Sequence, residues 1–417
     1  MSEIRKLSLE ELETYSDIVI NAYPGVSNNS PDYREKLITR LTSIQEEDET
    51  IDFYGLFRED KLLGGMRIHT FTMNVLQHTI PTGGVGLVAV DLLHKKEKVA
   101  KEMIEGFIEM FKDKNVPLVM LYPFRPDFYK KMGFGYGSKM NQYRMNPSGL
   151  PKHAKKDHLQ FAREEDGPLL VDCFNRYAKD THGMIYKNGH EAKNYFQDPN
   201  KKIVVYKKDN VIEGYLSFSF KKMSETNFCL NDLVIHEFVY ETNSAFMELC
   251  GFLESQADQV NRIVLNTQDE AFHHVLSDPR NHTNELIPSV YHESHTAGVG
   301  IMYRVIDVEQ FFRIVPNHLF GYETVSIKLK IDDSFIQENS KDYLLKVTNG
   351  RIEVLKELTC DVTVGMDIAD YSSLIMGAVD FQALYRFGKV QLSDESYISL
   401  LNQMFRTNQN PICMTLF

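Results

Sequence analysis

Residues 83–111, GGVGLVAVDLLHKKEKVAKEMIEGFIEMF, constrain the fold of this chain more than any other stretch. Val85, Leu87, Val88, Ala89, Val90 and Leu92 form an apolar run too short for a core helix, which reads as a strand buried on both faces. An amphipathic helix follows at once. Val99, Met103, Phe107 and Phe111 make one apolar row, Ala100, Ile104 and Ile108 the adjacent one, and Lys98, Lys101, Glu102, Glu105 and Glu109 take the wet side. Between strand and helix lies His94-Lys95-Lys96-Glu97-Lys98. A helix start aims unpaired N–H groups at such a turn and carries roughly half a positive charge, so it can hold a diphosphate, and the lysines add attraction.

The order of elements around this unit narrows its meaning. A helix capped by Ser8, with Leu9, Leu12, Tyr15, Ile18 and Val19 on its apolar face, precedes strands at 51–57, 62–71 and 72–80. After the helix come a strand at 116–122, a short helix near 126–132 and a strand at 136–145. The segment resembles a GNAT-type N-acetyltransferase domain, whose strand–turn–helix holds the pyrophosphate of acetyl coenzyme A. Aligning Val88-Ala89-Val90 with that family's V-x-V strand places Lys95, Lys98 and Ala100 on the defining positions of its Arg/Gln-x-x-Gly-x-Gly/Ala turn. Lys98 departs from the pattern, because the family has glycine there. Residues 125–134, RPDFYKKMGF, are similar to the helix that carries "FYxxxGF" in the same family. The resemblance implies that Val88, Ala89, Val90, Lys95, Lys96, Glu97, Lys98, Val99, Ala100, Lys101, Phe124 and Arg125 bind the donor and that Tyr129 gives a proton to the departing thiolate.

At 417 residues the chain exceeds a single core, and one such domain leaves most of it unexplained. With 46 basic and 58 acidic residues the formal charge is −12, which disfavours nucleic acid and anionic lipid as partners and suits a cationic substrate. The acidic run 46–49 reads as a solvated loop. The chain has no apolar stretch of membrane-spanning length, and its N-terminus lacks a signal-peptide core, so a cytoplasmic protein is expected. Cys173, Cys229, Cys250, Cys360 and Cys413 are scattered without ligand spacing, as reduced thiols would be.

Residues 145–156, MNPSGLPKHAKK, read as a linker, after which the same order of elements begins again. A helix at 164–178, a hairpin at 203–220 turning on Asp209-Asn210, a strand at 231–240, a helix to about 257, a strand at 262–266 and a short helix at 270–276 suggest a duplicated domain. Its turn reads VYETNSAF with no basic residue, so no cofactor is expected there. His273, His274, His282, His292 and His295 crowd a loop-rich segment without carboxylate or thiolate at ligand spacing, and no metal is expected. In the remainder, strands at 301–311, 325–331, 343–348, 351–356 and 360–366 precede helices at 368–377, 381–387 and 394–405, an α+β layer resembling a sterol-carrier-protein domain.

The reading is therefore α/β and α+β: a catalytic GNAT domain at 1–148, a degenerate GNAT-like domain at 149–294 and a sterol-carrier-like domain at 295–417. That succession is similar to the enhanced intracellular survival (Eis) family. The resemblance implies direct acetyl transfer from coenzyme A to a primary amine of an aminoglycoside-like or lysine-bearing substrate, in a homo-oligomer that can be a hexamer. It also implies that the carboxylate of Phe417, at the end of the apolar run PICMTLF, accepts the amine's proton. A different class remains open: a non-catalytic protein whose carrier-like domain binds an apolar ligand.

Overall fold

The computed structural model describes residues 2–228, 230–281 and 283–417. Cys229 and His282, both singled out in the sequence, lie outside the described residues. The chain forms two compact units, one of Met1–Gly137, Ile301–Asn410 and Leu416–Phe417, the other of Ser138–Gly300 and Pro411–Thr415. Among the described residues no helix is long and apolar enough to cross a membrane.

The first unit opens with strand β1 (Ser2–Lys6), which pairs antiparallel with β2 (Ile51–Arg58). Helix α1 (Glu11–Ala22) begins where Ser8 and Glu11 exchange hydrogen bonds, Glu11 N donating to Ser8 Oγ and Ser8 N to the Glu11 carboxylate. Helix α2 (Pro31–Glu47), capped by Ser30, has no counterpart in the sequence reading. It takes in Glu46 and Glu47, so the acidic run expected as a loop is partly helical. Strands β3 (Lys61–Val75) and β4 (His78–Val90) form one long hairpin rather than the separate pieces expected. Met73 and Val75 keep one face buried past the expected break, and Leu76 and Gln77 turn the chain with φ of 50° and 62°, the geometry of a tight hairpin turn.

Helix α3 (Val99–Asp113) buries Val99, Met103, Ile104, Phe107, Ile108 and Phe111, the stripe its periodicity predicts. These side chains share a core with Val119 and Leu121 of β5 (Leu118–Leu121) and with Tyr129 of α4 (Pro126–Lys130). The two-residue strand β6 (Gly135–Tyr136) ends this part of the chain.

The second unit takes β7 (Met140–Met145), β8 (Leu159–Phe161), α5 (Gly167–Asp180), α6 (Glu191–Asn194), β9 (Lys202–Lys208), β10 (Val211–Lys222), β11 (Asn231–Tyr240), α7 (Asn243–Glu254), β12 (Arg262–Thr267) and β13 (His295–Gly298). Its sheet runs β13-β7-β12-β11-β10-β9-β8. Asp209 and Asn210 turn the β9–β10 hairpin with positive φ, as their identity predicts. At the start of α7, where α3 has lysines, Thr242 caps the helix and Tyr240 packs its ring 4.7 Å from that of Phe246. The rings of His273 and His274 lie 4.0 Å apart at a tilt of 38°, while His295 lies in β13 against Tyr143. Among the described residues Cys173, Cys250, Cys360 and Cys413 are not in disulfides.

The chain re-enters the first unit as β14 (Met302–Val305) and α8 (Val308–Ile314), which correct the expected strand at 301–311: Asp307 caps a helix by accepting from Gln310 N. Strands β15 (Val325–Asp332), β16 (Asp342–Thr348), β17 (Arg351–Leu355) and β18 (Val362–Asp367) lead to α9 (Ile368–Ile375), α10 (Phe381–Arg386), β19 (Val390–Leu392) and α11 (Ile398–Met404). They form a sheet in the order β17-β16-β15-β18-β19. The first sheet runs β1-β2-β3-β4-β5-β14-β6.

That order corrects where the expected first domain ends. The expected strand at 136–145 splits, with β6 in the first sheet and β7 in the second, and the place beside β5 goes to β14. Burial explains the exchange. Every residue of β14 is buried, whereas β7 alternates buried Asn141, Tyr143 and Met145 with more open Gln142 and Arg144 and suits a sheet with one wet face.

Arg304 of β14 is fully buried, with Nη2 donating to Asp333 Oδ2 at 2.6 Å and Nη1 to the carbonyl of Met132 at 2.6 Å. Removing one partner of such a pair leaves an uncompensated charge in the core. Asp333→Leu is therefore expected to destabilise the protein by about 3–5 kcal/mol. The double variant Arg304→Met with Asp333→Leu removes the unpaired charge but leaves the backbone N–H groups of Phe335 and Ile336 without the Asp333 acceptor, so it should recover only part of that loss, and thermal melting of both proteins checks it.

Candidate active site

The site begins with a fault in the hairpin. Gly65 pairs with Ala89 and Arg67 with Gly86, so Leu87 and Val88 together oppose Met66 as a β-bulge, and Leu87 sits at φ 48°. The bulge is pinned from α1. Tyr15 Oη donates to the Leu87 carbonyl at 2.5 Å and Tyr23 Oη to the Val88 carbonyl at 2.7 Å. On its other edge β4 pairs in parallel with β5 only through Gly83–Val119, Gly84–Met120 and Val85–Leu121. Beyond Val85 the two strands part, leaving the bulged end of β4 without a neighbour from β5.

A cavity of about 610 Å³ opens there. Of the residues expected to bind the donor, Val88, Val90, Lys95, Lys96, Lys98, Val99, Ala100, Lys101 and Phe124 line it, as does Tyr129. Three do not. Ala89 alternates to the opposite face and is buried in the core around α1. Glu97 turns onto Arg58 and His94, at 3.3 and 3.1 Å, and so shapes the turn without facing the cavity. Arg125 is exposed and paired with Asp127. Ala22, Tyr23, His94, Phe128, Lys131, Met132 and Phe335 complete the lining; the sequence reading placed His94 in the anion-binding turn but named none of these as donor-binding residues.

The turn itself is strained in an informative way. Lys98 is the residue before α3 and lies in the left-handed region at φ 66°, ψ 9°. A glycine at this position meets no Cβ penalty there, which gives a conformational reason for glycine beyond its small size.

Tyr129 stands one turn into α4, which Pro126 starts. It is buried, with its ring edge-on to Phe124, Phe128 and Phe134. Burial pushes its pKa well above the ordinary phenol value, and the neighbouring phenol of Tyr23 adds to the rise. Burial raises Tyr23 as well, against the pull of the Arg67 cation.

Phe417 lies beside Gly84 and Gly86, next to the bulge. Its ring packs 5.0 Å from Phe71, 5.2 Å from Tyr122 and 5.4 Å from His69. A methyl group built on Gly86 would stand 3.1 Å from the carboxyl carbon of Phe417 and 3.4 Å from Nη2 of Arg67. His69 is buried, with Nε2 lacking a hydrogen-bond partner among the described residues, and burial together with Arg67 holds its pKa well below the usual value. It is therefore a neutral imidazole at pH 7. Arg67 and His69 occupy alternate positions of β3 between the apolar Met66 and Ile68, a polar pair on one face of a buried strand that could have been noticed.

Residues 3–137 and 183–305 each match an acetyltransferase (GNAT) domain description, and residues 308–414 match a sterol carrier protein domain. The chain is a GNAT acetyltransferase of Eis-like build. A protein of Streptomyces avermitilis described as an uncharacterized N-acetyltransferase is 21% identical to this acetyltransferase over 94% of this chain and 93% of its own. Among solved structures, a GCN5-related N-acetyltransferase from Anabaena variabilis aligns over 100% of both chains with TM-score 0.82 at 18% identity. Eis1 from Mycobacterium abscessus aligns over the same extent with TM-score 0.77 at 18% identity. At those identities the structures establish a shared fold. The sterol carrier match also starts beyond β14, in keeping with that strand's place in the first sheet.

Replacing Lys98 with glycine in this acetyltransferase should relieve the left-handed backbone, and stability is expected to rise by about 1 kcal/mol. A lower melting temperature for Lys98→Gly would show that the side chain contributes more than its conformation costs.

Proposed function

We propose that this GNAT acetyltransferase moves acetyl from acetyl coenzyme A to a primary amine by direct attack, using Tyr129 as proton donor and the terminal carboxylate of Phe417 as proton acceptor. The observation that carries the reading is that the lysine turn and Tyr129 open on one cavity, at the point where β4 and β5 part. The lining suits the donor: His94, Lys95, Lys96, Lys98, Lys101 and Lys131 offer cationic or titratable groups for phosphates, while Val88, Val90, Phe124, Phe128 and Met132 offer an apolar wall for the pantetheine arm.

The acceptor arrives as an ammonium ion and gives a proton to the Phe417 carboxylate. Its nitrogen attacks the thioester carbonyl carbon, the C–N bond forms, the C–S bond breaks, and Tyr129 gives sulfur a proton and is restored by the second proton that the nitrogen loses. One thioester and one ammonium become one amide, one thiol and one proton. Burial keeps Tyr129 protonated through the neutral and mildly alkaline range, as a donor requires. The acidic chain supports a cationic multi-amine acceptor of the aminoglycoside or lysine type.

Two variants test these roles. Tyr129→Phe keeps the ring and removes the proton, so kcat for thiol release should fall roughly 10²-fold or more with the dissociation constant for acetyl coenzyme A unchanged. A wild-type kcat would leave Tyr129 as packing. Gly86→Ala crowds the Phe417 carboxyl group and should lower kcat roughly tenfold without changing donor affinity, since catalytic geometry tolerates little displacement. Unaltered turnover in Gly86→Ala would remove Phe417 from the mechanism.

A further inference from the structure

The donor cavity is walled in part by the sterol-carrier-like segment. Phe335 lies just after β15 and lines the cavity, with its ring 5.6 Å from the Nζ of Lys101, one turn into α3. The loop that presents it is fixed at every step. The Asp333 carboxylate is fully buried and accepts from Phe335 N at 3.1 Å, Ile336 N at 2.9 Å, Asn339 Nδ2 at 3.1 Å and Arg304 Nη2 at 2.6 Å. Arg304 in turn donates to the carbonyl of Met132, another cavity residue, and Ile336 enters the same core as α3. The ring is thus positioned relative to both α3 and the end of α4, and it remains only half-buried.

A half-buried phenylalanine held this firmly keeps a fixed place at the cavity wall, with Lys101 Nζ 5.6 Å and the Arg304 guanidinium 5.7 Å from its ring centre. On one side of the cavity stands Tyr129, where the acyl end belongs, and at the helix start stand Lys95, Lys96 and Lys98. Phe335 lies next to Lys101, in the first turn of α3, and so at the same end of that helix as those lysines. We propose that Phe335 binds the adenine nucleotide end of the acyl donor, so that the carrier-like segment contributes directly to recognition of coenzyme A. The proposal rests on the acetyl-transfer reading and adds to it a contact from outside the domain that carries Tyr129. A purine offers a flat π-face to the ring, and stacking of this kind tolerates small changes of register while still discriminating a donor that has the base from one that lacks it.

Phe335→Leu retains apolar volume for the core around Ile336 and removes the aromatic face. Calorimetric titration of the full-length protein with coenzyme A and with 4′-phosphopantetheine, which lacks the nucleotide, reads the difference. Phe335→Leu should raise the dissociation constant for coenzyme A roughly tenfold, leave that for 4′-phosphopantetheine unchanged and keep the melting temperature. Phe335→Trp should restore the affinity for coenzyme A. An unchanged constant for coenzyme A, or an equal loss for both ligands, overturns the nucleotide assignment while leaving acetyl transfer intact. A wild-type protein that binds neither ligand overturns both.

Discussion

The bulge at Leu87 and Val88 is the constraint on which the rest of the site depends. An undisturbed β4 would carry its alternation through to Val90; the inserted residue bends the strand and shifts which side chains face the cavity. Leu87 adopts a positive φ that a γ-branched side chain does not choose freely, so the conformation must be held from outside. Tyr15 and Tyr23 hold it. Their hydroxyls occupy the carbonyls of the two bulged residues, and burial keeps both phenols neutral and able to donate. The same Tyr23 is electrostatically coupled to both Tyr129 and Arg67.

A second constraint acts through the buried Arg304–Asp333 pair. Two charges without solvent are costly to bring together, and hydrophobic replacements of similar volume are often as stable. What the pair adds is location: Asp333 organises its own loop with Oδ1 and joins β14 and Asn339 with Oδ2, while Arg304 fixes Met132 after α4. Together with β14 beside β5, this ties the sterol-carrier-like segment into the first sheet and its core. The segment behaves as a wall of the cavity as much as a domain in its own right.

Much of this was legible in the sequence because it is local. The strand, turn and helix of 83–111 appear in periodicity and charge, and the structure brings Lys95, Lys96, Lys98 and Tyr129 to one cavity. The hairpin turns at Asp209-Asn210 and Asn349-Gly350 follow from residues that tolerate positive φ. What escaped is non-local. The exchange of β7 and β14 between sheets pairs Met145 with Ile263 and Leu121 with Met302, residues 118 and 181 apart in the chain, and no period within either strand reports its partner. Arg67, His69 and Phe335 owe their importance to what faces them across the fold. Ala89 and Glu97 failed for a simpler reason: alternation in a strand and an ion pair with Arg58 turn them away from the cavity. Helix α2 was missed because its mostly polar surface buries little beyond Leu41.

The central claim is that the opening between β4 and β5, with the lysine turn at its rim, is a site for acetyl coenzyme A. Calorimetric titration of the full-length protein with acetyl coenzyme A, set beside the double variant Lys95→Glu with Lys96→Glu, tests it most directly. The account predicts a dissociation constant on the order of micromolar for the wild-type protein and a loss of roughly 10²-fold in the variant, since two attractive charges at the phosphates become repulsive. Equal affinity in the two proteins, or no binding to the wild type, would contradict it.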